Sequence, residues 1–135
     1  MTLCSIPCGR RQWCLVNYFY DVYLRWFDSG DLQGANHLRN IVTVAKSTPQ
    51  VCHWLPTREL PTVKAVLRQI GVFPKNLTVR VSAAMVDGKP PKGFENTSSV
   101  VTEGETCPSR DQGGVCGDCR DCWDRTISNV AYGKH

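Results

Sequence analysis

The sequence has no long hydrophobic run and no export signal. No apolar stretch approaches the roughly 18 residues that a membrane-spanning helix needs. The first 14 residues, MTLCSIPCGRRQWC, place their arginines after the short apolar stretch, which is the reverse of a signal peptide. These absences predict a cytoplasmic protein with no membrane partner, in a compartment where thiols stay reduced.

The sequence also has no large excess of positive or negative charge. The net charge is +4 over 135 residues, and the basic residues are scattered along the chain instead of forming a block. A nucleic-acid-binding surface usually gathers such residues on one face. The pattern favours an ordinary solvated surface, with contact to nucleic acid through a local patch as the alternative.

The common catalytic motifs are missing as well. The chain has no glycine-rich nucleotide fingerprint, no serine-triad motif and no HExxH motif. Its 41% hydrophobic and 21% charged residues are ordinary for one globular domain. Substrate and reaction are therefore not specified by any short motif, and whether the protein is an enzyme stays open.

What is present is a regular alternation of strand and helix patterns. Three runs rich in β-branched and aromatic residues predict strands at 22–27, 51–56 and 77–86. Between them, apolar residues recur at i, i+3, i+4 and i+7, which predicts two amphipathic helices with buried faces formed by Leu38, Ile41, Val42, Ala45, Val63, Val66, Leu67 and Ile70. Such an alternation is typical of βαβ units in a parallel sheet.

The predicted fold class is α/β, a small three-layer or partial-barrel domain of consecutive βα units with a mostly parallel sheet. We expect a single domain over 1–135 that consists of four parts. These are a cysteine-containing N-terminal segment (1–20), a βαβαβ core (21–87), a loop (88–106), and a cysteine-rich metal-binding segment with a last strand (107–135). The loop is rich in Gly, Pro, Ser and Thr, and only Val100–Val101 indicate a strand within it.

Polar residues follow each of the three predicted strands. In parallel α/β sheets ligands bind at the carboxyl ends of the strands, so these side chains are expected to meet at one edge. The candidates for a catalytic or binding role are Asp28, Asp31, Arg58, Glu59 and Ser82. The alternative is that Asp31, Thr57 or Glu59 merely caps the following helix. His53, inside the second strand, is interpreted as a hydrogen-bonded core residue.

Four cysteines stand close together in CPSRDQGGVCGDCRDCW. The spacing lets the thiolates turn toward one centre, and the intervening glycines allow the backbone to wrap around it. A C-x2-C-x2-C run with a remote Cys-Pro favours a [4Fe–4S] cluster, and zinc is the alternative. The predicted cofactor and metal ligands are Cys107, Cys116, Cys119 and Cys122.

A second group, Cys4, Cys8 and Cys14, has gaps of three and five residues. The first gap is similar to the start of the C-x3-C-x2-C motif of radical S-adenosylmethionine enzymes, but the second gap differs. The group is interpreted as incidental, with an auxiliary metal site as the alternative.

Several stretches resemble the phage and mobile-element family known as gene product 88. They are RWFDSGDL, WLPTRE, LTVRVSAAMVDG and the ending CGDCRDCWD…NVAYGKH, and they span residues 25–135. The resemblance implies a phage, prophage or plasmid setting, hence the cytoplasm of the host cell, more than it implies an activity. The alternating pattern is also similar to a partial radical-enzyme barrel, at the level of the fold alone.

Two functions are consistent with these features. The first is an iron–sulfur protein with a redox or enzymatic site at the carboxyl ends of the strands. The second is a zinc-stabilised, non-enzymatic module that binds a host protein or nucleic acid.

Overall fold

The computed structural model describes residues 22–27 and 29–135. Asp28 and the N-terminal group Cys4, Cys8 and Cys14 lie outside the described residues, so the predictions made for them are not examined by the structure.

Five parallel strands and two helices form the regular part of the described chain. The strands pair with their neighbours in chain order, and the sheet curls into a half-barrel. The predicted α/β fold with a partial barrel is therefore confirmed. The elements are β1 (Val22–Arg25), α1 (Ala35–Ser47), β2 (Val51–Thr57), α2 (Leu60–Ile70), β3 (Leu77–Ser82), β4 (Thr97–Val101) and β5 (Asn129–Gly133).

The two helices form where the apolar spacing predicts them. α2 has proline in its first turn, where the missing N–H costs nothing, and ends before Gly71. Gly71 adopts φ +81°, and its N–H donates to the Leu67 carbonyl oxygen, which satisfies one of the orphaned groups at the helix end.

Two strands are shorter than their sequences predict. β1 ends at Arg25, and Phe27 adopts the left-handed φ of +40°, which turns the chain out of the sheet. β3 ends at Ser82, and the chain turns at Asp87, whose φ is +58°. The Asp87 carboxylate accepts a 2.8 Å hydrogen bond from the Thr102 N–H and holds that turn against the end of β4.

The outer face of the sheet is covered by α1 and α2. Alternate strand residues point outward because side chains alternate across a strand, and Leu55, Leu77, Val79 and Val81 form one hydrophobic core with the helices. The predicted apolar face of α1 is fully buried. Of the α2 face, Val63 and Val66 are buried, and Leu67 and Ile70 pack at the margin of the core.

The inner face of the sheet is covered by a non-helical stretch, residues 107–123, called here the cysteine segment. Cys122 and Trp123 pack on Cys52 and Trp54 of β2, and Val130 of β5 completes this second core. The Trp123 ring lies 5.1 Å from the Trp54 ring. The inner face, unlike the outer one, is therefore closed by irregular chain.

The segment 88–106 is not only a loop, because it contains β4. This strand has five residues, more than the two valines that indicated it, and lies between β3 and β5. The connection that follows β4 runs across the inner face before the chain enters β5. Within residues 22–27 and 29–135, neither helix has the length and hydrophobicity to cross a membrane.

Candidate functional site

A cavity of about 450 Å³ opens at the carboxyl ends of the strands, between the sheet and the cysteine segment. The sheet and the ends of its strands contribute small, apolar and aromatic side chains and two arginines, and the cysteine segment contributes three of its four thiols. The residues that line the cavity include Arg25, Trp54, Pro56, Arg58, Ser82, Ala83, Ser98, Ser99, Val100, Cys107, Ser109, Cys116, Cys122, Tyr132 and His135.

Two of the four thiols are fixed to the folded framework. Cys122 is buried, and its Sγ lies 3.1 Å from the Tyr132 hydroxyl on β5. The backbone N–H of Cys107 donates to the Ala131 carbonyl oxygen at 3.0 Å, which attaches this residue to the edge of β5. The Cys107 Sγ lies 3.3 Å from the Ser109 hydroxyl.

The other two thiols lie on a turn. Cys116 is exposed and Cys119 is partly exposed, and the Cys119 N–H donates to the Cys116 carbonyl oxygen at 3.0 Å. Gly113, Gly114 and Gly117 adopt φ values of +69°, +83° and +53°. A side chain at these positions would strain the backbone, so glycine allows the turn on which Cys116 and Cys119 lie.

The thiols influence one another electrostatically. Burial raises the pKa of Cys122 to about 11, although the Tyr132 hydroxyl and the Arg80 guanidinium favour its thiolate, and negative charge on Cys107 or Cys116 would raise that pKa further. Burial also raises the pKa of Cys119, against a backbone N–H bond from Asp121 that lowers it. At neutral pH Cys122 is therefore a protonated thiol unless a cation comes close.

The four thiols are near one another but not gathered around one point. Within the described residues, no three or more of the His, Cys, Asp and Glu side chains form a group able to hold a metal ion. Four sulfur donors are nevertheless the ligand set of zinc and of iron–sulfur clusters. The donor chemistry fits such a group, and its assembly requires the Cys116–Cys119 turn to close on Cys107 and Cys122.

Arg80 attaches the cysteine segment to the sheet. Its side chain lies on the inner face of β3 with 0% exposure, and burial lowers its pKa while nearby Tyr132 and Cys122 oppose that shift. Within the described residues, the guanidinium donates hydrogen bonds to backbone oxygens alone, those of Thr97, Asp121, Cys122, Asp124, Ile127 and Ser128, at 2.8 to 3.5 Å. One buried cation therefore organises the backbone on both sides of Cys122.

Two of the predicted strand-end residues line the cavity with the cysteines, namely Arg58 and Ser82. Asp31 and Glu59 are not among the lining residues. The Asp31 carboxylate accepts hydrogen bonds from the Thr57 hydroxyl and from the backbone N–H groups of Leu32 and Arg58. Asp31 therefore joins the loop that follows β1 to the end of β2, a different structural role from the helix cap considered as the alternative.

Glu59 is the residue before α2, and its side chain makes no capping hydrogen bond. His53 is buried, as its position in β2 predicts. It accepts a hydrogen bond from the Trp26 indole at Nδ1, and its Nε2 lies 2.9 Å from the Thr48 hydroxyl. It faces the helix side of the sheet, away from the cavity.

Sequence patterns did not point to Arg25, Trp54, Arg80 or Tyr132. All four lie on the inner face, and Arg25 and Trp54 are register partners on β1 and β2. The Arg25 guanidinium lies 4.9 Å from the centre of the Trp54 ring. The alternation of polar and apolar residues in LTVRVS was the available signal for Arg80. The positions of Arg25, Trp54 and Tyr132 beside the cavity depend on strand register, which short motifs do not encode.

Comparison with known proteins identifies a family for the chain. No curated protein and no solved structure matches the chain. The model of one protein family, described as gene product 88, matches residues 12–113. This range includes β1 to β4 and Cys107 and stops before Cys116, so the ending that also resembled the family lies outside the match. The chain therefore belongs to the gene product 88 family, a phage-type family.

Proposed function

We propose that this protein binds an iron–sulfur cluster through Cys107, Cys116, Cys119 and Cys122. The observation that carries the proposal is that three of these thiols line one cavity and influence one another's ionisation. Thiolates that repel one another are stabilised by a metal between them, and thiols with raised pKa values release their protons when a metal binds.

The arrangement of the segment supports a site that closes on binding. Cys107 and Cys122 are attached to β5, whereas Cys116 and Cys119 are on a glycine-rich turn with most of its surface exposed. Closing this turn would move few buried side chains. The buried Arg80 charge lies next to Cys122 and would offset part of the negative charge of four thiolates.

The experiment is anaerobic purification followed by metal and sulfide analysis. We expect a brown protein with broad visible absorption and with iron and acid-labile sulfide in equal amounts, about four of each per chain. Cys119→Ser should lower the iron content at least severalfold. The matched control is Ser109→Ala, which removes a hydroxyl beside Cys107 and no ligand. A colourless protein that binds neither iron nor zinc contradicts the proposal.

A structural zinc site is the second candidate. It is favoured by the position of the cysteine segment, which covers the inner face and holds Trp123 against β2, so that a metal there would stabilise the fold directly. In that case the protein is a non-enzymatic module for a host protein or nucleic acid. Zinc at one equivalent per chain, without sulfide, would select this alternative.

A redox or enzymatic site at the strand ends is part of the first proposal. Arg58 and Ser82 support it because they line the cavity that the thiols also line. Asp31 would act through its hydrogen bond to the Arg58 backbone. For Asp28 and Glu59 the proposal is based on the sequence. An activity of this site should be lost in Ser82→Ala and Arg58→Gln without loss of iron.

A further inference from the structure

We propose that the cavity at the strand ends binds a small organic oxyanion, a phosphorylated or carboxylated compound, through the guanidinium groups of Arg25 and Arg58. The inference concerns the walls of the cavity, and it does not require that the cysteines hold a metal.

The charge of the cavity points to an anion. Among the described residues that line it, two are arginines and none is aspartate or glutamate. Elsewhere on the chain, Arg110 and Arg125 form ion pairs with Glu105 and Glu95 at 3.0 and 2.8 Å. The side chains of Arg25 and Arg58 have no carboxylate partner in the part of the chain that the structure describes.

Both arginine side chains are exposed, and each is positioned in part by one contact. The Arg25 guanidinium stacks over the Trp54 ring at 4.9 Å, which leaves its N–H donors at the edge of the planar group. The Arg58 backbone N–H donates to the Asp31 carboxylate at 2.8 Å, which fixes the start of that side chain. Guanidinium groups bind carboxylate and phosphate oxygens in pairs of parallel hydrogen bonds.

Further hydrogen-bond donors surround the arginines. The hydroxyls of Ser82 and Ser98 lie 2.9 Å apart on neighbouring strands, and whichever of them accepts the hydrogen bond between them keeps its own hydrogen to donate to a ligand. The Trp54 Nε1–H is a buried donor for which the described chain provides no acceptor. A buried, unsatisfied N–H is costly, so this indole, whose ring lines the cavity, would be stabilised by an acceptor that a ligand brings within reach.

The size and composition of the cavity favour an organic compound over a bare inorganic ion. Its volume of about 450 Å³ lies within the range of about 300–1,000 Å³ typical of ligand pockets. Apolar wall is provided by Pro56, Ala83 and Val100, which can contact a carbon skeleton. The oxyanion would lie at the arginines and the rest of the molecule along these side chains.

The proposal is tested by titrating the full-length chain, as purified, with inorganic phosphate and with citrate. Binding is followed by calorimetry and by tryptophan fluorescence, with sodium chloride at matched ionic strength as the non-specific reference. We expect saturable binding that sodium chloride does not reproduce. Arg58→Gln and Arg25→Gln should each weaken it about tenfold or more, since each removes charge-assisted hydrogen bonds.

The matched control is Arg68→Gln, an exposed arginine on α2 at the outer face, which should leave binding unchanged. Equal weakening in all three variants, or no saturable binding in the native chain, overturns the proposal. Iron and zinc are measured in every sample. If the native chain holds no metal yet binds phosphate, only the metal proposal fails.

Discussion

The two faces of the sheet are closed by different kinds of contact. On the outer face, Leu38, Leu55 and Leu77 are completely buried (0% exposed) in an aliphatic core under two helices. On the inner face, Thr78 and Arg80 are equally buried, with 1% and 0% exposure. Their partners are backbone carbonyl oxygens of the cysteine segment and the chain that follows it.

This difference decides how each face responds to change. Hydrophobic contact is non-directional and is spread over many side chains, so a substitution on the outer face removes only part of the contacts that hold it. Hydrogen bonds require specific geometry, and a buried carbonyl that loses its donor is left unsatisfied. The inner face therefore depends on fewer residues, above all on Arg80.

The largest effect is expected from Arg80→Met. This substitution removes a guanidinium that serves six carbonyl oxygens and should lower the free energy of unfolding by roughly 4 kcal/mol. Urea denaturation followed by tryptophan fluorescence measures it. The control Arg68→Met, at an exposed position on α2, should change stability by less than about 0.5 kcal/mol. A loss below about 1 kcal/mol for Arg80→Met would show that the inner face is held by its aromatic core instead.

A somewhat smaller effect is expected from Leu38→Ala on the outer face. Leu38 is completely buried against the sheet, and its truncation should cost about 3 kcal/mol in lost transfer energy and cavity formation. Val44→Ala, at a position that is 42% exposed on the same helix, is the control. If the metal is bound as proposed, the Leu38→Ala protein should keep the native metal content per chain, and the Arg80→Met protein should lose metal. The opposite result would show that the metal site depends on the outer face and not on the inner face.

The smallest effect is expected from the protonation of His53, which should make the stability of the fold depend on pH. Burial lowers the pKa of this imidazole below its usual 6.5, so the unfolded chain binds the extra proton more readily than the folded chain. The contribution of His53 to the free energy of unfolding is complete above pH 6.5, and it is lost as the pH falls through the pKa that the imidazole has in the folded chain. Protonation would also disrupt the Trp26 hydrogen bond to Nδ1. Thermal unfolding between pH 7.5 and 5 measures the effect, and His53→Gln should flatten the profile; an unchanged slope would contradict it.

The outer face could be predicted from the sequence because its signals are local. Apolar residues at helical spacing, such as Leu38 and Ala45, identify the buried side of α1 without reference to the rest of the chain. Gly71 marks the end of α2 for an equally local reason.

The inner face could not be predicted in the same way. The alternating pattern of LTVRVS is typical of a strand with one face in water, yet that face is covered by chain that lies more than 40 positions later. At the cavity, Arg58 and Ser82 were predicted because each follows or ends a strand. Arg25 and Tyr132 were not, because their places are set by pairing across the sheet.

The crossing of the inner face by the connection between β4 and β5 has a consequence for folding during synthesis. The Trp123 indole donates to the Leu24 carbonyl oxygen across 99 positions of sequence, a separation that makes contact formation slow. Because synthesis is vectorial, β1 to β4 and both helices leave the ribosome before the residues that close the inner face. Until residues 121–124 emerge, Thr78 and Arg80 lack the carbonyl oxygens that they bond in the folded chain, and the cavity cannot form.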